Sequence, residues 1–199
     1  MKKSIVSKIL ITLGLVLIIT SFGLKIYSKN KEVQAMEEFN KKIALQQKEE
    51  DEGKKEEIDM TKKKSTGNKK IAIQIALIEI PSIDLESVIV EGVEKEKLRY
   101  YLCHFEETAR PGEIGNFSIS GHSSVIYNEI LNNLHKVKIG DEIKIKTEKD
   151  DFIYTITEKF IVEPTEIGVL DQDTNKRMMT IVTCTDKGKR RLIVKAEMK

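Results

Sequence analysis

From residue 71 to the C-terminus, β-forming runs recur every few residues, and Gly, Pro or Asp cuts each one short. Residues 71–80 alternate well enough for a strand before Pro81, and 88–90 make a second, ended at Gly92. Residues 94–101 allow a helical turn or two, 108–115 carry turn chemistry, and 116–120 read as a strand. Ile126, Ile130 and Leu134 keep helical spacing. After a turn at Gly140-Asp141, residues 142–146 and 151–157 form a hairpin pair, and 160–164 a further strand. Residues 179–183 and 191–196 flank a turn at Asp186 and Gly188. Many short strands, few helices and no βαβ rhythm predict a mostly β unit: a closed or near-closed barrel of about eight strands.

The N-terminal third obeys different rules. Residues 9–24 are an apolar run bounded by Lys8 and Lys25, and with its flanks the stretch reaches about two dozen residues. A helix needs roughly 20 to cross the hydrocarbon core, and the two lysines can snorkel to the headgroups. Residues 1–27 therefore read as a retained membrane anchor, a cleaved signal peptide being the alternative. An anchor that leads the chain puts everything behind it outside the cytoplasm, in a single-pass arrangement. Residues 28–70 hold 12 Lys and 10 Asp or Glu among 43 positions, a charged stalk or linker. Its first part, with Val33, Met36, Phe39 and Ile43 at helical spacing, can extend the anchor helix; residues 48–70 read as solvated helix or disorder. Residues 71–199 hold 18 Lys or Arg against 22 Asp or Glu, a mildly acidic unit that argues against nucleic acid as a partner.

Two cysteines, Cys103 and Cys184, make no disulfide framework, although a single bridge between them is conceivable. No spacing resembles a zinc site. Cys184 closes a β-run at the mouth of a turn, with an arginine opening the partner strand, a setting that suits a reactive thiolate. Asn116-Phe-Ser-Ile-Ser-Gly-His122 ends another run in a histidine. A cysteine, a histidine and an arginine at strand ends make a candidate nucleophile, acid/base and oxyanion-side cation. His104 and His135 compete with His122. Adjacent strand residues point to opposite faces, so a Cys103–His104 dyad is geometrically poor. His135 sits on a polar, surface-like stretch. Alternation also lets only one of Arg190 and Arg191 face the site: if Leu192 and Val194 share a face, Arg190 goes with them and Arg191 with Ile193. Thr183 either lines the oxyanion region or is a plain β-former. Ser123, Ser124, Glu113 and Asn116 carry no assignment.

Thr180-Ile-Val-Thr-Cys184 resembles the T-L-x-T-C signature of sortases, with isoleucine in place of leucine. Asn116-Phe-Ser-Ile-Ser-Gly-His122 is similar to the family's N-x-x-I-x-G-H segment, and Arg191-Leu-Ile-Val-Lys-Ala to its last-strand R-L-[IL]-V-[RK]-[AG]. The resemblance spans residues 71–199, is best to class D with class A second, and selects Arg191 over Arg190. It implies a cysteine transpeptidase that cleaves an LPxTG-like sorting signal between Thr and Gly, holds a thioacyl intermediate on Cys184, and passes it to a peptidoglycan precursor or cross-bridge amine. No cofactor is implied; some family members use calcium, and no carboxylate cluster here has ligand spacing for it. Two other functions compete: a non-catalytic, membrane-tethered barrel that binds envelope peptides, and a cysteine endopeptidase that uses water as acceptor.

Overall fold

The computed structural model describes residues 2–51, 72–123 and 130–198. One helix, α1 (Lys2–Asp51), comes first. Eight strands follow: β1 (Gln74–Ile80), β2 (Leu85–Glu91), β3 (Leu102–His104), β4 (Gly115–Gly121), β5 (Glu142–Lys146), β6 (Asp151–Val162), β7 (Arg177–Thr185) and β8 (Arg190–Met198). They close into a barrel in the order β1-β2-β3-β4-β7-β8-β6-β5, sealed where β5 pairs with β1. Only β2–β3 and β4–β7 run parallel; a short helix α2 (Lys95–Leu98) sits in the first of these connections. Closure leaves no free sheet edge.

The barrel interior follows from period-two alternation. Phe117 and Ile119 of β4, Met179 and Ile181 of β7, and Leu192, Val194 and Ala196 of β8 enter one core with Ile78, Ile89, Ile143 and Tyr154. Each large side chain withdrawn from water contributes roughly 1.5–3 kcal/mol. The intervening residues of β4, β7 and β8 face outward.

Two expectations change. The strands read at 151–157 and 160–164 are one strand, β6. A register shift against β8 between Ile156 and Glu158 absorbs the irregular stretch that looked like a break. The first part of the stalk is no free tether either. α1 runs through residue 27 without a break, and Ala35, Phe39 and Ile43, spaced by four, are buried against Leu77 and Val88 on the outside of β1 and β2. Val33, expected in the same stripe, is more than a third exposed. Residues 52–71 and 124–129 lie outside the described residues, and with them Ser124, most of the charged tract and half of the helical spacing at 126–134. Residues 134–136 form a single 3-10 turn.

Candidate active site

β4 and β7 pair in parallel from Gly115↔Arg177 to Gly121↔Thr183. At that last rung the Thr183 hydroxyl donates to the Gly121 carbonyl at 2.8 Å. The next residues are His122, just past the end of β4, and Cys184 on β7. On the far side of β7, the antiparallel pairing with β8 sets Cys184 opposite Arg191. The backbone positions of His122, Cys184 and Arg191 thus follow one another across β4, β7 and β8 at one level, and neighbouring strands lie about 4.8 Å apart. Alternation gives all three the same face: Ile119, Ile181 and Leu192 are core residues, so the positions out of phase with them point away from the core. Ser118, Ser120, Thr180, Val182 and Ile193 share that outward face.

Gly121 is required by packing. A Cβ there would run into the side chains of Leu102 and Leu131. The β7–β8 turn is tight: Asp186, Lys187 and Gly188 all have positive φ, at 51°, 56° and 87°. A non-glycine residue is uncommon there, yet the turn is what brings β8 back beside Cys184. Arg191 Nη1 donates to the carbonyls of Gly188 and Arg190 at 3.0 and 3.2 Å, which folds the guanidinium over this turn. Arg190 points the other way, and its Nε lies 3.5 Å from Asp186 Oδ2.

Cys184 is half-buried, and both cysteines are free. The His122 imidazole is held below its ordinary value, first by partial burial and then by the nearby Arg99 cation. Both causes favour the neutral ring, the form that can accept a proton. Cys103 is fully buried, and burial pushes its thiol up to about 12. His104 lies inside the barrel. Its Nδ1 is 2.8 Å from Glu91 Oε1, and its Nε2 is 3.1 Å from both the Ala109 carbonyl and the Thr108 hydroxyl. Exposed His135 has its Nδ1 2.8 Å from the Asn132 carbonyl.

The Thr183 side chain is engaged within the sheet. Its hydroxyl is spent on the β4–β7 rung, and it faces inward, opposite to Cys184. Asn116, which carries no assignment from the sequence, and Gln172 both position the wall above the outward face. Asn116 Nδ2 donates to the Val169 and Asp171 carbonyls, its Oδ1 accepts from Thr180, and Gln172 Oε1 accepts the backbone N–H groups of Ala109 and Asn116. These bonds fasten the β6–β7 connection onto β4. A buried asparagine six residues before the histidine was the available signal. Glu113 accepts from the Arg110 backbone N–H, and Ser123 donates to Asn132. Beside this wall a cleft of about 700 Å³ opens between residues 105–108 and 170–172. Among the described residues, no group of three or more His, Cys, Asp or Glu side chains is placed to hold a metal ion.

The Sortase domain family matches residues 78–199, from the middle of β1 to the last residue. This chain is a sortase. Most of its length is similar to Sortase D of Bacillus subtilis (strain 168), at 27% identity over 183 residues, covering 92% of this chain and 89% of the relative. Sortase A of Staphylococcus aureus (strain NCTC 8325 / PS 47) is 27% identical over 184 residues, covering 87% and 84%. Among solved structures, the Clostridium perfringens Sortase D5 transpeptidase is 40% identical with a TM-score of 0.65, covering 82% of this sortase and 94% of that chain. Sortase A from Corynebacterium diphtheriae is 31% identical with a TM-score of 0.61, covering 64% and 61%. The protein is a cysteine transpeptidase of the kind that cleaves sorting signals and attaches the cut proteins to the cell wall.

Proposed function

We propose that Cys184, His122 and Arg191 act together on the Thr–Gly bond of an LPxTG-like sorting signal carried by a secreted protein. The observation that carries this reading is the register: Gly121↔Thr183 on one side and Cys184↔Arg191 on the other align the three side chains on one face. The Cys184 thiol passes its proton to the neutral His122 ring as the sulfur attacks the threonine carbonyl carbon, and the carbonyl oxygen gains negative charge. Arg191, one strand away, stabilises that charge or holds the peptide backbone through paired hydrogen bonds. His122 gives a proton to the departing glycine nitrogen, the C–N bond breaks, and a thioester remains on Cys184. A cell-wall amine then attacks the thioester carbon, its proton passes to His122, and the sulfur leaves. Residues 1–27 hold the enzyme in the cell membrane as a single span, with residues 71–199 on the extracytoplasmic side.

The test is to incubate the enzyme with a panel of sorting-signal peptides and amines and read the products by mass. The expected result is a peptide cut after threonine and joined to the amine. Cleavage that yields only the free acid at saturating amine, or no cleavage across the panel, contradicts the reading.

A further inference from the structure

We propose that α1 is a rigid strut that presses the catalytic end of the barrel against the lipid headgroup layer, with Tyr27, Lys31 and Tyr100 on the contacting surface; this rests on reading the apolar part of α1 as a membrane anchor. Three contacts fix the direction in which α1 crosses the barrel. The Tyr27 ring stands edge-on to Tyr100 with centroids 6.3 Å apart, the Ser87 hydroxyl donates to Glu32 at 2.7 Å, and Gln74 Nε2 donates to Glu38 at 3.5 Å. β2 runs parallel to β3 with Ile89 opposite Leu102, and β3 runs antiparallel to β4 with Cys103 opposite Ser120. Continuing that register sets Leu102 beside Gly121 and Tyr101 beside His122. Ser87 therefore lies toward the catalytic end, and Gln74, opposite Val90, toward the far end. α1 meets the catalytic end first and leaves by the other.

Helical rise supplies the distance. At about 1.5 Å per residue, Tyr27 stands roughly 5 Å and Glu32 roughly 12 Å beyond the end of the apolar run at residue 24. The headgroup layer on each side of a bilayer is about 5–8 Å deep, so Tyr100, in contact with Tyr27, falls within it. The chemistry suits that layer. Lys31 Nζ lies 5.4 Å from the Tyr27 ring centre and 4.8 Å from that of Tyr100, and tyrosine rings with adjacent cations concentrate at membrane interfaces. Phe39 and Ile43, buried against Leu77 and Val88 farther along α1, keep the barrel from swinging on the anchor. The site then works on peptide bonds presented within a headgroup's depth of the bilayer, as in a substrate with its own membrane-embedded segment.

The chain contains no tryptophan, so Tyr100→Trp and Lys149→Trp each give a single emitter, the second in the β5–β6 turn at the far end of the barrel. Each full-length variant is reconstituted into phosphatidylcholine–phosphatidylglycerol vesicles bearing a nitroxide on the headgroup. The pairings set Tyr100 level with Ile145, four residues before Lys149 and roughly 13 Å away along the strand direction, so quenching at position 100 is expected to exceed that at 149 about 2-fold or more. Adding Phe39→Ala is expected to narrow the gap. Equal quenching in protein that stays with the vesicles through an alkaline wash overturns the strut and leaves the anchor standing. Release by that wash overturns the anchor and the strut with it.

Discussion

This sortase has two places where a cysteine and a histidine come together, and they share almost nothing else. Cys103 and His104 are neighbours in sequence on β3, yet alternation sends them to opposite faces. Cys103 is fully buried with its thiol pushed up to about 12, and His104 is pinned by Glu91, Thr108 and the Ala109 carbonyl. Cys184 and His122 are distant in sequence, yet parallel pairing of β4 with β7 makes them neighbours on one face. The first pair is buried within the fold, while the second keeps its thiol half-buried and its ring held below the ordinary value by burial and Arg99. In a β-barrel, chemical adjacency is set by register across strands.

Breaking each pair separates the two roles. Cys184→Ala is expected to lower kcat/KM for peptide–amine ligation by roughly 10³-fold or more, whereas Cys103→Ala keeps it within about 2-fold. His122→Ala should cost roughly 10²–10⁴-fold in the same assay. His104→Ala acts on stability instead: it leaves Glu91 without its buried partner and lowers the unfolding free energy by about 2–4 kcal/mol in urea titrations, with the surviving folded enzyme still active. Arg191→Ala should lower kcat/KM by roughly 10²–10³-fold, against about 2-fold for Arg190→Ala. The smallest effect concerns the ring itself. Arg99→Gln removes the second cause of the lowered His122 value, so its titration, followed by imidazole NMR, moves upward toward the ordinary range. Burial, the larger cause, keeps it below that range, and a downward move would contradict this electrostatic assignment.

Strand count and barrel closure were legible because alternation and turn residues are local. Leu192 and Val194 in the core were enough to turn Arg191 outward with Ile193. What stayed hidden depended on contacts between distant segments. The continuity of β6 rests on a register shift against β8. The Thr183 bond to Gly121, and the clamp of Asn116 and Gln172 on the β6–β7 connection, bridge 53 to 63 residues of sequence. The stalk was legible in part: helical spacing already picked out Phe39 and Ile43, and only the barrel shows that they and Ala35 pack against Leu77 and Val88.

Peptide mapping of the trapped intermediate tests the central claim most directly. The enzyme is incubated with a sorting-signal peptide in the absence of amine, quenched in acid, digested and analysed by mass. The expected result is the N-terminal fragment of the substrate, ending in threonine, attached to the segment that contains Cys184 and released by hydroxylamine. The same adduct on Cys103, or turnover that leaves Cys184 unmodified at every time point, would contradict the assignment of nucleophile and structural thiol alike.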